Sequence, residues 1–162
     1  MISHKVVKEP WRVPMKQLFG THENRLDAKG RVSVPAAFRK AWAGVPDMSL
    51  VLRPSYLANC VEGWPLPNYE RFTARAEAYR EGDLDGEAYA SMAFSEAEEI
   101  DLDAQGRIML PGRLIELAGI RETVCFLGRG SHFHIWAPEA AQAFLAEGRT
   151  RVQRPATGGG AA

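Results

Sequence analysis

The feature that most constrains this chain is one phrase that occurs twice. The stretch "NRLDAKGRVSVP" at 24–35 returns as "IDLDAQGRIMLP" at 100–111, and both copies share the core L-D-A-x-G-R. The copies are 76 residues apart, which is too long for the repeating unit of a solenoid. We therefore expect two related halves within one chain of 162 residues.

Each copy of the phrase predicts a hairpin that leads into a helix. Asp27 favours a turn because its carboxylate accepts local backbone N–H bonds, and Gly30 supplies the positive φ that the turn needs. In the following "RVSVP", apolar residues alternate with polar ones, so Arg31 is expected on the polar face of a strand. Pro35 fits the first turn of the next helix. The second copy has equivalent residues at equivalent positions: Asp103, Gly106, Arg107 and Pro111.

The similarity of the halves extends beyond the phrase. Phe38 matches Leu114. With a small gap allowed, Trp64 matches Trp136 and Phe72 matches Phe144. Each half is predicted to run strand, turn, strand, short helix, two strands, helix. The two tryptophans are expected to be core residues. The fold class is therefore mainly β with short helices.

We divide the chain into five segments. These are an extension at 1–16, a first repeat at 19–68, a helical connector at 69–93, a second repeat at 94–138, and a C-terminal helix with a tail at 139–162. The extension is expected to be disordered or a misassigned start, with Met15 as the alternative start. The tail from Thr150 onward is also expected to be disordered, because it has little core-forming capacity.

Composition excludes several classes of protein. No apolar run approaches the roughly 18 residues of a membrane span, and the N-terminus lacks the apolar stretch of a signal peptide. The two cysteines, Cys60 and Cys125, do not form a disulfide framework and are expected to be small buried residues in a reducing compartment. We expect a soluble, cytoplasmic protein.

The net charge is zero but unevenly distributed. Residues 1–42 contain nine Lys and Arg against three Asp and Glu, whereas residues 43–103 contain four against thirteen. Residues 104–162 contain seven against four. Positive charge thus gathers around the repeated phrases, which is typical of a face that binds a polyanion, although charged helices exposed to solvent give the same pattern.

Arg31 and Arg107 are the main candidate functional residues, and two interpretations remain open. An exposed guanidinium at the mouth of a hairpin can bind a phosphate or a guanine edge through two parallel hydrogen bonds. Alternatively, each arginine pairs with the aspartate four residues before it, Asp27 or Asp103, in a structural ion pair worth about 0–1 kcal/mol.

Further basic residues surround the first copy: Lys29, Arg25, Arg39 and Lys40. The second copy is less basic, because Gln105 replaces Lys29 and Asp101 replaces Arg25. If both copies contact nucleic acid, the first is expected to contribute more of the electrostatic attraction.

Metal, cofactor and catalytic sites are not predicted. His132 and His134 would point to the same strand face, but no Cys, Asp or Glu stands close in sequence to complete a metal site. No nucleophile elbow and no phosphate-binding glycine motif occurs. Glu96, Glu98 and Glu99 are interpreted as a solvated stretch. We expect no cofactor and no enzymatic activity.

The doubled D-x-x-x-R pattern, Asp27 with Arg31 and Asp103 with Arg107, resembles the MraZ family of bacterial transcriptional regulators, within the AbrB-like superfamily. The resemblance covers the chain from about "LFGTHENRLDAKGR" to "WAPEAAQAF". It implies a fold of two tandem AbrB-type swapped-hairpin (double-split) β-barrel halves that form one pseudo-twofold unit. Family members tend to begin close to the segment matching "LFGTHEN", so residues 1–16 depart from the pattern. The spacing around Trp64 also differs from that of the second half.

The same resemblance implies a function. It implies a nucleoid-associated, sequence-specific regulator that binds double-stranded DNA and represses the division and cell-wall gene cluster containing its own gene. Copies of the chain would assemble into a ring that binds tandem direct repeats, with Arg31 and Arg107 contacting DNA. The alternative is a ring-forming protein–protein scaffold that does not bind DNA.

Overall fold

The computed structural model describes residues 15–78 and 84–156. The disorder expected for residues 1–14 and 157–162 concerns segments outside these ranges. The first half contains, in order, β1 (Thr21–Arg25), β2 (Arg31–Ser33), α1 (Ala36–Ala41), β3 (Ser49–Pro54), β4 (Val61–Pro65) and α2 (Leu66–Ala78). Helix α3 (Leu84–Ser95) follows. The second half contains β5 (Glu98–Asp101), β6 (Arg107–Met109), α4 (Gly112–Leu117), β7 (Thr123–Gly128), β8 (Phe133–Trp136) and α5 (Pro138–Gln153). The predicted order of elements is confirmed in both halves.

The strands pair across the two halves. The larger sheet has six antiparallel strands in the order β1-β7-β8-β4-β3-β5, and β2 pairs with β6 in a separate two-stranded ribbon. Each half therefore contributes its first strand to the other half: β1 pairs with β7, and β5 pairs with β3. Within the described ranges, no strand pairing closes the larger sheet into a barrel.

The main core lies between the larger sheet and the ribbon. Alternate residues of β3, such as Leu50 and Leu52, point into it and are fully buried. Val32 and Ile108 enter from the ribbon, and Phe38 from α1. Burying such side chains contributes about 1.5–3 kcal/mol each. The core thus fixes which face of the ribbon points outward.

Two smaller clusters cover the opposite face of the sheet, and they repeat the same aromatic contact. Under α2, the ring centroids of Trp64 and Phe72 are 5.0 Å apart at 34°. Under α5, those of Trp136 and Phe144 are 4.7 Å apart at 32°. Both tryptophans are buried, as predicted. The matching geometry supports the alignment of the two halves.

Close packing at the centre of the sheet requires a glycine. A Cβ atom added to Gly63 on β4 would lie 2.4 Å from the Cε2 and Cζ atoms of Phe133 on β8. Phe133 fills the space that any other residue at position 63 would occupy.

Several local predictions are wrong. Pro35 and Pro111 stand at the N-cap of their helices, one position before the first turn. By contrast, Glu98 and Glu99 keep the predicted solvent access within strand β5: the Glu98 side chain is 43% exposed, and Glu99 is exposed while it accepts a 2.7 Å hydrogen bond from the Ser49 hydroxyl.

The start of the predicted disordered tail also differs. Helix α5 continues through Gln153, so residues 150–153 are helical. An ion pair one turn apart, Arg151 to Glu147 at 2.6 Å, supports this end of the helix. In the described ranges, no helix has the length and apolar character to cross a membrane.

Candidate functional site

The first repeated turn is organised around one carboxylate. Asp27 Oδ1 accepts hydrogen bonds from the backbone N–H groups of Lys29 at 2.9 Å and Arg31 at 2.8 Å. Its Oδ2 accepts a 2.7 Å bond from Arg31 Nε. Gly30 completes the turn at φ +84°, a conformation that side chains with a Cβ rarely adopt. The aspartate therefore holds both the turn and the arginine side chain.

The second turn repeats this geometry within 0.1 Å. Asp103 Oδ1 accepts bonds of 2.9 Å from the N–H groups of Gln105 and Arg107, and Oδ2 accepts a 2.8 Å bond from Arg107 Nε. Gly106 has φ +76°. The turn roles predicted for Asp27, Gly30, Asp103 and Gly106 fit this geometry.

These hydrogen bonds make the two aspartates more acidic. The N–H donated by Arg31, followed by its guanidinium, lowers the pKa of Asp27 below its ordinary value of 3.8. The equivalent groups of Arg107 lower the pKa of Asp103. Both carboxylates are therefore charged at neutral pH and hold a permanent partner charge for each arginine.

The ribbon brings Arg31 and Arg107 onto one outward face. In the β2–β6 register, Arg31 is opposite Met109 and Ser33 is opposite Arg107. The arginines are thus diagonal neighbours, with a typical separation of roughly 7–8 Å. Their side chains are 32% and 33% exposed, whereas Val32 and Ile108 on the other face are 1% exposed.

The structure agrees in part with both interpretations of the arginines, the structural ion pair and the exposed DNA-binding group. The ion pairs with the aspartates exist, at 2.7 and 2.8 Å. The bonds to the aspartates use only Nε of each guanidinium, so the four N–H donors of its terminal nitrogens lie outside these ion pairs. In Arg107, Nη2 also donates a long bond of 3.4 Å to Gln105 Oε1. The arginines are neither buried in the interior nor fully extended into solvent, and this arrangement leaves a directed donor group at the surface.

The other predicted basic residues are placed differently. Lys29 is exposed on the first turn, next to Arg31. Arg25 is exposed at the end of the edge strand β1, opposite Thr123, and no hydrogen bond or ion pair within the described ranges connects it to Arg31. The structure therefore groups Lys29 with Arg31 but leaves Arg25 on a neighbouring element.

The side chain of Arg39 lies beside the second turn, although in sequence Arg39 is close to Arg31 and the first turn. A Cβ atom on Gly106 would lie 2.6–2.8 Å from the Cδ, Nε and Cζ atoms of Arg39. At the equivalent place on the first turn stands Ile115, 3.7 Å from the corresponding position of Gly30. Arg39 thus supplies a cation to the turn that lacks Lys29.

Sequence reasoning also missed a buried polar cluster on the helix-covered face of the sheet. Glu62 lies 2.5 Å from Arg53 and within 3.8 Å of both His132 and His134. Burial lowers the pKa of His132 to about 4. Burial alone would raise the pKa of Glu62, but His134 and Arg53 outweigh it and lower the pKa. The partners are far apart in sequence, and only the β4–β8 pairing brings them together.

Comparison with known proteins identifies the relatives of this chain. The family model described as "MraZ protein, putative antitoxin-like" matches residues 18–84 and 93–157. A protein of Gluconacetobacter diazotrophicus named "Transcriptional regulator MraZ" is 41% identical over 146 residues, covering 86% of this chain and 90% of the relative. Proteins of the same name from Rhodospirillum rubrum and Rickettsia bellii are 38% and 34% identical, covering 80% and 76% of this chain and 84% and 82% of the relatives. The two family matches contain the two repeated turns, one in each, and the chain belongs to the MraZ family.

Proposed function

We propose that this protein is a transcription regulator that binds double-stranded DNA in a sequence-specific manner through the outer face of the β2–β6 ribbon. The observation that carries the proposal is the pair Arg31 and Arg107, held on one outward face by matching aspartate turns. The relatives named as transcriptional regulators support it.

A two-stranded ribbon has a suitable shape for this role. The major groove of B-DNA is about 12 Å wide and admits such a ribbon, and arginine bound to guanine through two hydrogen bonds is its commonest specific contact. Lys29 and Arg39 lie one at each turn beside the ribbon, and we assign phosphate contacts to both. Arg25, on the edge strand, is assigned a weaker phosphate contact.

We further propose that copies of the chain form a ring that binds tandem direct repeats. One ribbon offers few contacts, and a ring multiplies them by raising the effective concentration of each ribbon. Supporting this, Leu57 is 97% exposed at the tip of the β3–β4 connection, beside an open cavity of about 500 Å³ lined by Trp136 and Phe144. The exposed leucine and the aromatic part of the cavity lining together offer an apolar surface on which a second copy of the chain could pack.

The remaining proposals follow the family resemblance. The cross-paired strands suit two swapped-hairpin halves at 19–68 and 94–138, related by a pseudo-twofold axis, with 69–93 as a connector. The target is the promoter of a division and cell-wall cluster that includes the protein's own gene. Its effect there is repression, and its location is the nucleoid within the cytoplasm.

The proposal is tested by measuring binding to the DNA upstream of the protein's own gene. Arg31→Ala and Arg107→Ala are each expected to cost about 1–3 kcal/mol per contacted site. Arg151→Ala is the matched control, because Arg151 is also an arginine paired with an acid four residues away, but on helix α5. Equal binding by all three variants and the wild type would count against DNA recognition by the ribbon.

Salt dependence separates this function from that of a protein scaffold. Each phosphate contact lowers the slope of log K against log salt by roughly 0.9. A steep linear decrease that becomes shallower in Lys29→Ala supports DNA binding. A ring that assembles normally but shows no salt-dependent DNA binding would favour the scaffold instead.

A further inference from the structure

Glu62, His132 and His134 converge between the larger sheet and the helices that cover it. Glu62 on β4 is the cross-strand partner of His134 on β8, and His132 stands two residues before His134 on the same side. The Nε2 atoms of His132 and His134 lie 3.7 and 3.8 Å from Glu62 Oε1, and one ligand atom from each of the three residues lies within 4.8 Å of the others. These separations are too long for hydrogen bonds but suit three groups arranged around a common atom.

We propose that these three side chains bind one divalent transition-metal ion, with Zn²⁺ as the best match. Two imidazoles and one carboxylate are a ligand set that zinc accepts, with water in the fourth position. Zinc–ligand bonds of about 2.0–2.1 Å in a tetrahedron place ligand atoms about 3.4 Å apart. The distances of 3.7 and 3.8 Å need to shorten by only a few tenths of an ångström. Imidazole ligands disfavour Mg²⁺ and Ca²⁺, which prefer oxygen.

The surroundings orient two of the three ligands, His132 and Glu62. His132 Nδ1 lies 3.1 Å from the Ser131 hydroxyl. When Nδ1–H donates to that oxygen, the lone pair of Nε2 points towards Glu62, which is the usual arrangement of a metal-binding histidine. The His132 ring also stacks on Trp64 at 4.0 Å and 5°, which fixes its plane. Arg53 contacts Glu62 Oε2 and leaves Oε1 on the side of the histidines.

The site is partly accessible to an ion, but its affinity for a cation is expected to be moderate. The side chains of Glu62 and His132 are 12% and 15% exposed. A cavity of about 230 Å³ is lined in part by Trp64 and Ser131, the two residues that stack on His132 and bond to it. The positive charge of Arg53 opposes a second cation nearby. We therefore expect an affinity in the micromolar range rather than that of a buried structural zinc site.

A metal here would connect the two halves of the chain. Glu62 belongs to the first half and both histidines to the second, and β4–β8 is the central pair of the larger sheet. An ion that binds only the folded state stabilises it by mass action. The site is separate from the β2–β6 ribbon, so this inference does not depend on DNA binding.

The test uses untagged full-length protein stripped with a chelator and titrated with Zn²⁺ by calorimetry, with thermal unfolding in parallel. We expect one zinc per chain and a higher unfolding temperature with zinc. His132→Gln and His134→Gln should each abolish binding, and Ser131→Ala should weaken it about 10–100-fold. His22→Gln is the control, because His22 lies on the edge strand β1 and bonds the Phe19 carbonyl instead. It should bind zinc as the wild type does.

Two titration results would each overturn the proposal: no binding of zinc by the wild type, or undiminished binding by both His132→Gln and His134→Gln. Folding of each variant is checked by circular dichroism without metal. If a histidine variant does not fold, the wild type still decides the question. Co²⁺ should give the intense visible absorption of a four-coordinate ion, and imidazole ¹⁵N spectra should show zinc-induced shifts at His132 and His134 but not at His22. Absence of both signals contradicts the site.

Discussion

Arg31 donates two hydrogen bonds to the carboxylate of Asp27, from its backbone N–H at 2.8 Å and from its Nε at 2.7 Å. The Asp27 side chain thus fixes both the end of the turn and the direction of the Arg31 guanidinium. Arg107 and Asp103 repeat the arrangement. The aspartates therefore act, in the proposed function, as positioning residues for the DNA-contacting arginines.

Replacing Asp27 by alanine should weaken DNA binding although it removes a negative charge. Without the carboxylate, Arg31 is free to sample other rotamers, and ordering such a side chain costs about 0.5–1.5 kcal/mol on binding. Fluorescence anisotropy with a labelled promoter fragment measures this loss. Glu23→Ala is the control, since it removes the same charge from the exposed side of β1. If Asp27→Ala binds more tightly than the wild type, net charge rather than positioning governs the interaction.

The same aspartates should make folding stability depend on acid pH. Their pKa values are lower in the folded protein than the ordinary 3.8, so the folded state binds fewer protons than the unfolded state. Their stabilisation is fully present above about pH 4 and is lost as the pH falls through the lower, folded pKa. Urea unfolding at a series of pH values should show a smaller acid-dependent loss for Asp27→Asn and Asp103→Asn than for the wild type. An unchanged pH dependence in both variants would contradict the proposed stabilisation by charged Asp27 and Asp103.

Gly63→Ala should destabilise the fold by about 1–3 kcal/mol, because the new methyl group overlaps the Phe133 ring. Gly148→Ala is the matched control. Gly148 lies inside helix α5 with no atom within 4 Å of its added Cβ, so the change should stabilise by up to about 1 kcal/mol. Chemical denaturation of the two variants gives the comparison. Equal effects on the free energy of unfolding would mean that β4 and β8 do not pack as closely as described.

The repeat allowed much of the fold to be predicted, because each half follows the same local rules. The Asp27 turn, the Gly30 conformation and the outward direction of Arg31 all depend on residues within a few positions of one another. The exchange of strands between the halves was implied by family resemblance but not by periodicity, since alternation fixes which face a residue occupies and not which strand lies beside it.

Because local patterns do not show which strands become neighbours, two features of the site could not be predicted from the sequence. Arg39 was expected near the first turn, where it lies in sequence, yet cross-pairing of the halves places it against Gly106. His132 and His134 were judged to lack a third ligand because Glu62 is about 70 residues away in sequence and becomes a neighbour only through β4–β8 pairing. Contacts between the two halves of the chain were thus the part that local patterns could not predict.

The cysteines should be unreactive in the folded protein. Burial raises the pKa of Cys60 to about 12 and also raises that of Cys125, and both side chains are almost fully enclosed. The thiolate is the reactive form, so Ellman's reagent at about pH 8 should react slowly with the native protein. Both thiols should react at once in denaturant. Rapid release of two equivalents from the native protein would contradict the burial of these residues.

The most direct test of the central claim replaces both ribbon arginines with lysine. Arg31→Lys/Arg107→Lys keeps the two positive charges but removes the planar group that binds a guanine edge through two hydrogen bonds. Binding to the promoter repeats should weaken by about 1–3 kcal/mol per contacted site, while the salt dependence stays close to that of the wild type and binding to unrelated DNA is unchanged. Wild-type affinity and specificity in the double variant would contradict base recognition by Arg31 and Arg107.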